Sequence, residues 1–187
     1  MPNVLVVGAS RGLGASLMKA YAAHGSSVYA TSRSATAPAS TEHVTYIPGI
    51  DVSEETAGQE LVSHVHSSGV TLDIVIITAG YFRTETFEEP SWQEEVKMYT
   101  TSSIAPVFIC HHLVKAGLMA KGSKIILVSS ESGSITLRHE SEGGGNYGHH
   151  ASKSALNMVG KLLSLDLKEK GIAVGIVHVG PEAYESN

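Results

Sequence analysis

The stretch Val4-Leu5-Val6-Val7-Gly8-Ala9-Ser10-Arg11-Gly12-Leu13-Gly14 decides the fold. Four consecutive apolar residues, three of them β-branched, read as a strand buried on both faces. The glycines that follow are spaced G-x-x-x-G-x-G, and a helical pattern over residues 13–24 begins among them. Glycine permits a tight strand-to-helix turn and removes the Cβ that would obstruct a pyrophosphate. The start of the next helix offers free N–H groups and a positive dipole end to phosphate oxygens. An ordinary glycine-rich turn is the plainer alternative. The place directly after the first strand favours phosphate binding.

Outward from this turn, the alternation repeats. Short apolar, β-branched runs occupy residues 27–31, 44–47, 72–78, 124–129 and 172–179. Helix-like stretches lie at 54–67, 92–119 and 151–170, the last closed by Lys170-Gly171. Residues 32–41 and 131–148 read as loops, the second carrying Gly143-Gly144-Gly145. Alternating β and α units predict an α/β fold: a doubly wound, Rossmann-like parallel sheet of about six strands in three αβα layers. The 187 residues fit one domain, 1–187.

Composition narrows the function. With 13 Lys and Arg against 18 Asp and Glu, the net charge is -5. That argues against a nucleic-acid binder or a polybasic membrane-surface protein. No run of about 18 apolar residues occurs, so no membrane-spanning helix is expected. The N-terminus lacks the basic start and longer apolar run of a signal peptide. Cys110 is the single cysteine, which excludes an intramolecular disulfide and points to a reducing, cytoplasmic setting.

The end of the second strand bears on which dinucleotide fits. An NAD site usually has an acid there for the ribose 2′-OH. Here the strand ends Tyr29-Ala30-Thr31-Ser32-Arg33-Ser34, and no acid follows until Glu42. Arg33 and Arg11 suit a 2′-phosphate through guanidinium contacts, so NADP(H) is expected rather than NAD(H). Two solvated surface arginines are the alternative.

These features together resemble the short-chain dehydrogenase/reductase family, in particular its small C-factor-like members. The turn Gly8, Ser10, Arg11, Gly12, Leu13 and Gly14 is similar to the family's cofactor loop. Asp51-Val52-Ser53 resembles the segment that contacts adenine, and Thr78-Ala79-Gly80 the end of the family's Asn-Asn-Ala-Gly. Ser129-Ser130 ends a strand as the catalytic serine strand does. Ala151-Ser152-Lys153-Ser154-Ala155-Leu156-Asn157 is close to the stretch around the catalytic lysine. The resemblance implies hydride exchange between nicotinamide and a small carbonyl or alcohol. It implies cofactor contacts from Arg33, Asp51, Val52, Ala79, Gly80 and Lys153, and a substrate-orienting hydroxyl from Ser130. Family members often dimerise through the helices corresponding to 92–119 and 151–170, so a homodimer or homotetramer is expected.

The chain departs from the family at several positions. Four residues before Lys153, where the family has its proton-donating tyrosine, stands His149. The family asparagine position, four before the proline of Ala105-Pro106, is Ser102, and the first two asparagines of Asn-Asn-Ala-Gly are Ile77 and Thr78. The chain is also shorter than a usual member, so the substrate-lid helices and seventh strand are not expected. Strand six would then be an edge.

The histidine changes the chemistry. A lysine charge about 4 Å away at an effective dielectric near 20 is worth on the order of 4 kcal/mol, or about 3 pKa units. Applied to tyrosine it creates a donor poised near neutrality; applied to histidine it enforces the neutral imidazole. Neutral imidazole accepts protons better than it gives them. Positions 149 and 153 lie about 40° apart on an ideal helix, on one face, whereas 147 and 153 lie roughly 120° apart. Tyr147 therefore substitutes as donor only if the chain is not yet helical there. Three function readings follow: a reductase or dehydrogenase; non-redox acid–base chemistry such as isomerisation, dehydration or cyclisation through His149; and an inactive nucleotide-binding scaffold.

The other candidates read as structural. The ten histidines include two adjacent pairs, His111-His112 and His149-His150, whose rings diverge on a helix, so no metal site is expected. Cys110 lies in an apolar run and reads as packing. Trp92 and Phe87 flank Glu88-Glu89-Pro90 and read as packing at a helix start.

Overall fold

The computed structural model describes residues 1–180. Six parallel strands form one sheet: β1 (Asn3–Val7), β2 (Ser27–Thr31), β3 (Val44–Ile47), β4 (Leu72–Ile77), β5 (Met119–Ser129) and β6 (Ala173–His178). Their spatial order is β3-β2-β1-β4-β5-β6. The order reverses between β1 and β4, which opens a crevice at the carboxyl ends of these strands. The helices are α1 (Gly12–Ala23), α2 (Ala57–Ser67), α3 (Trp92–Tyr99), α4 (Ala105–Lys115) and α5 (Tyr147–Asp166). This is the doubly wound, Rossmann-like arrangement that the alternating pattern predicts.

Alternation along β1 builds the layers. Val4 and Val6 pack with Met18 of α1 on one face, while Leu5 and Val7 join Leu61, Val65, Ile109, Leu113 and Leu156 of α2, α4 and α5 on the other. All four β1 side chains are fully buried. Each such burial contributes about 1.5–3 kcal/mol, so a one-residue register slip would exchange the contents of two cores.

Three boundaries differ from the sequence reading. The stretch expected as one helix over 92–119 is α3, a π-helical turn at Thr100–Ile104, and α4. Pro106 accounts for the break, because it has no N–H to return to Ser102 and the ladder widens around the gap. Gly117 at φ 71° ends α4, with Leu118 N–H donating to Leu113 O at 3.0 Å, and Met119 already begins β5. At the other site helix, α5 starts at Tyr147 rather than Ala151. The loop expected over 131–148 thus yields its end to α5 and carries short 3₁₀ turns at Glu131–Gly133 and Glu140–Glu142.

Candidate active site

The glycine turn after β1 is held by hydroxyls from neighbouring strands. Gly8 N–H donates to Thr31 Oγ1 at 2.9 Å, and Thr78 Oγ1 donates to Val7 O at 2.9 Å and Gly8 O at 3.1 Å. Thr78 stands where the family pattern has asparagine, and its hydroxyl ties the ends of β1 and β4 together. A Cβ on Gly14 would lie 2.1 Å from Gly8 O, and one on Gly8 would lie 2.8 Å from Ala79 Cα. Gly12 takes φ 54° and its Cβ would meet nothing. The backbone therefore closes on itself below and leaves bare peptide facing open space above.

That space is a cleft of about 440 Å³. It is lined by Gly8, Ser10, Arg11, Gly12, Leu13 and Gly14 of the turn, by Arg33, Asp51 and Val52 beyond β2 and β3, and by Ala79 and Gly80 after β4. His149 and Lys153 of α5 complete the wall at the end of β5, beside Val128 and Ser129. The fold thus gathers these sequence candidates onto one surface. Ser130 and Tyr147 are not among the lining residues. Ser130 caps the turn after β5, its Oγ accepting from Ser132 N–H at 3.2 Å. Tyr147 is already helical, so the non-helical start that it needed to reach Lys153 does not occur. Its side chain is 40% exposed in the first turn.

Several lining residues escaped sequence reasoning. Lys97 of α3 enters the cleft with its Nζ 4.5 Å from the ring centroid of Tyr81, whose hydroxyl donates to Glu94. Phe82 stands edge-on to His149, with centroids 4.9 Å apart. Thr31 and Thr101 also line the cleft. Nothing local in the sequence marks them, because tertiary packing brings them in. Burial pulls the Asp51 carboxyl upward, but hydrogen bonds from Ser53 N–H and Oγ, with Arg33 and Lys97 nearby, outweigh it and lower its pKa.

The two α5 residues are electrostatically unusual. Burial lowers the Lys153 pKa to about 8, while its Nζ donates to Val128 O at 3.0 Å. Burial first, then the Lys153 and His150 charges, lower the His149 pKa to about 4. His149 Nδ1 is buried with no hydrogen-bond partner among the described residues. Near neutral pH the pair is a neutral imidazole beside an ammonium. Cys110 is packed in the core, where burial pushes its thiol up to about 12. Among the described residues, no group of three or more His, Cys, Asp or Glu is placed to hold a metal ion. No helix among them is long and apolar enough to cross a membrane.

A family model described as short chain dehydrogenase matches residues 2–184. The chain belongs to the short-chain dehydrogenase/reductase family. The 1-hydroxy-2-glutathionyl-2-methyl-3-butene dehydrogenase of Rhodococcus sp. (strain AD45) is 28% identical over 99% of this chain and 80% of its own length. The L-fucose dehydrogenase of Rattus norvegicus is 26% identical, over 95% of this chain but 64% of its own length. The crystal structure of NADPH-bound carbonyl reductase from chicken fatty liver superposes with a TM-score of 0.82 at 25% identity, covering 95% of this chain and 79% of that one. Members of this short-chain family bind NAD(P). The bare turn, the positive end of α1 and the cleft running to Lys153 fit such a dinucleotide.

Proposed function

We propose that this short-chain dehydrogenase/reductase uses NADP(H) and acts on a small carbonyl or alcohol. The observation that carries this reading is one continuous cleft: a side-chain-free phosphate cradle at one end, and Lys153 with His149 at the other. Arg11 and Arg33 suit a 2′-phosphate, and the chain running on from β2 carries no acid before Glu42 to accept a ribose 2′-OH. The NADPH in the chicken carbonyl reductase structure supports the same choice. When bound, the nicotinamide supplies or accepts the hydride. Lys153 holds its ribose, His149 moves the proton in place of tyrosine, and the Ser130 hydroxyl, which caps Ser132 N–H beside the cleft lining, has to turn inward to orient the substrate oxygen.

One observation favours a second reading. An imidazole titrating at about 4 is a base and a poor acid at neutral pH. Such a group suits removal of a proton from an alcohol or an activated C–H, which is alcohol oxidation in the first reading and isomerisation or dehydration in the second. Fluorescence titration with NADPH and NADH tests the nucleotide site. A panel of carbonyls and alcohols followed at 340 nm, repeated with His149→Phe and Tyr147→Phe, tests the chemistry. Tight NADPH binding with hydride transfer lost only in His149→Phe supports the first reading. Binding without any hydride transfer supports the second reading or an inactive nucleotide-binding scaffold.

We also propose self-association. Ile104, Val107 and Phe108 of the π turn and α4, and Met158, Leu162 and Leu165 of α5, are exposed apolar side chains on the two helices through which the family often dimerises. A homodimer or homotetramer in a reducing cytoplasm would cover them. Sedimentation at micromolar concentration tests this, and a monomer would reject it.

A further inference from the structure

Helix α5 carries His149 and Lys153 but does not cap itself. Asn146 takes the N-cap position in a left-handed conformation, φ 51°, and makes no side-chain cap bond. Its Oδ1 instead accepts from Glu85 N–H at 3.2 Å, and its own N–H donates to Glu85 O at 2.9 Å. The first turn of α5 holds no acid. The carboxylate it lacks comes from Glu85, 63 residues away, whose Oε1 accepts from Gly148 N–H at 2.5 Å. Gly148 precedes His149 directly.

Glu85 is only 5% exposed, and its second carboxyl oxygen is buried without a hydrogen-bond partner among the described residues. No Lys, Arg or His pairs with it among the described residues. A buried carboxylate holding one backbone N–H costs stability, a cost offset only by what its hold on the helix contributes. The acid that faces it is Glu95 of α3, whose carboxyl is held above the usual range by burial and by Glu85. The helices leave no slack here: a Cβ on Gly148 would lie 3.1 Å from Glu95 Cα and 2.5 Å from Met98 Cε.

From this geometry we propose that Glu85 is a positioning residue: by clasping the Gly148 N–H and bridging to Asn146, it fixes the first turn of α5 and so the orientation of the His149 imidazole in the cleft. The proposal rests on reading His149 as the proton-moving group, and its consequence for the imidazole stands whether or not nucleotide binds. A charged acceptor at a helix N-terminus holds the turn in two ways, through the bond itself and through the dipole. Losing it frees the Gly148–His149 peptide to rotate. The ring then leaves the buried site beside Phe82 and Lys153 that keeps it neutral.

The test uses the whole chain without nucleotide. Amide exchange at Gly148 and His149, and the NMR titration midpoint of the His149 ring, are measured in Glu85→Ala and Glu85→Gln. Should Glu85→Ala fail to fold, Glu85→Asp serves, being one methylene too short to hold the same bond. In Glu85→Ala, exchange at the two amides should rise roughly 10- to 100-fold, and the His149 midpoint should climb from about 4 toward the ordinary histidine value. Glu85→Gln keeps the acceptor and should restore both, while the Glu95 midpoint falls. Faster exchange with an unmoved His149 midpoint would reduce Glu85 to a cap and overturn the proposal, as would no change in either. NADPH titration of the wild-type chain reads the nucleotide site separately, because the phosphate cradle lies on β1 and α1. A protein that binds no NADPH but shows the shifted midpoint would refute the nucleotide reading and keep this one.

Discussion

Lys153 is held against its own preference for water, and the cost is measurable. Its pKa falls from 10.5 to about 8 with burial as the only cause. At about 1.4 kcal/mol for each tenfold change in proton affinity, that fall places a penalty on the order of 3 kcal/mol on the folded state whenever the ammonium is protonated. Lys153→Met keeps a long flexible stem in the same space and removes the charge. It also takes a donor from Val128 O, which returns about 1–1.5 kcal/mol of loss. The variant should therefore be more stable by about 2 kcal/mol at pH 7. For a chain of this size that raises Tm by roughly 4–8 °C. The sign of the pH dependence follows from the shift. Below about 8 both folded and unfolded wild type carry the proton, and the full penalty applies. Between 8 and 10.5 the folded state releases it while the unfolded state does not, so wild type gains stability and the advantage of the variant shrinks. Thermal and urea melts at pH 7 and pH 10.5 read this directly. A variant less stable than wild type at pH 7, or a difference independent of pH, would refute the argument. A stabilised variant that has also lost nucleotide affinity would show that the lysine is kept for binding rather than for folding.

Other outcomes follow from the same contacts. Gly14→Ala places a Cβ 2.1 Å from a backbone oxygen and should lose both several kcal/mol of stability and nucleotide binding, whereas Gly12→Ala meets open space and should cost about 1 kcal/mol from its positive φ while weakening NADPH. Paired melts and fluorescence titrations separate the two. Arg33→Ser should weaken NADPH at least tenfold and NADH little; equal losses would place the guanidinium elsewhere. If His149 acts as base and Lys153 as charged partner, kcat/KM should rise through about pH 4 and fall through about pH 8. A profile governed by one ionisation near 10 would point instead to a tyrosine. His149→Tyr should bring the alkaline limb in and raise carbonyl reduction relative to alcohol oxidation, because a lysine-tuned phenol gives protons more readily than a neutral imidazole.

The sheet was legible because its signals are local. Val4 to Val7 are apolar at each position, as burial on both faces demands, and Gly8 and Gly14 sit where any Cβ would strike backbone. The break near Pro106 was missed, because the helical pattern over 92–119 runs straight across a proline that removes one bond of the ladder. The start of α5 was not readable. Asn146 and three glycines before it read as loop, and the carboxylate that lets the helix begin at Tyr147 arrives from Glu85. The same distance hides Lys97, Thr31 and Phe82, which reach the cleft only through packing of α3, β2 and the loop after β4. The neutral state of His149 followed from its four-residue spacing to Lys153. Burial, which contributes more than that charge, needs the fold.

In the proposed function, one cleft brings a nicotinamide dinucleotide to His149 and Lys153. Titrating NADPH into the protein while following the His149 ring resonances by NMR tests it most directly. Saturable binding should shift the His149 ring signals in step with occupancy and leave exposed histidines such as His64 unmoved. Absence of binding, or binding that leaves His149 untouched, would contradict it.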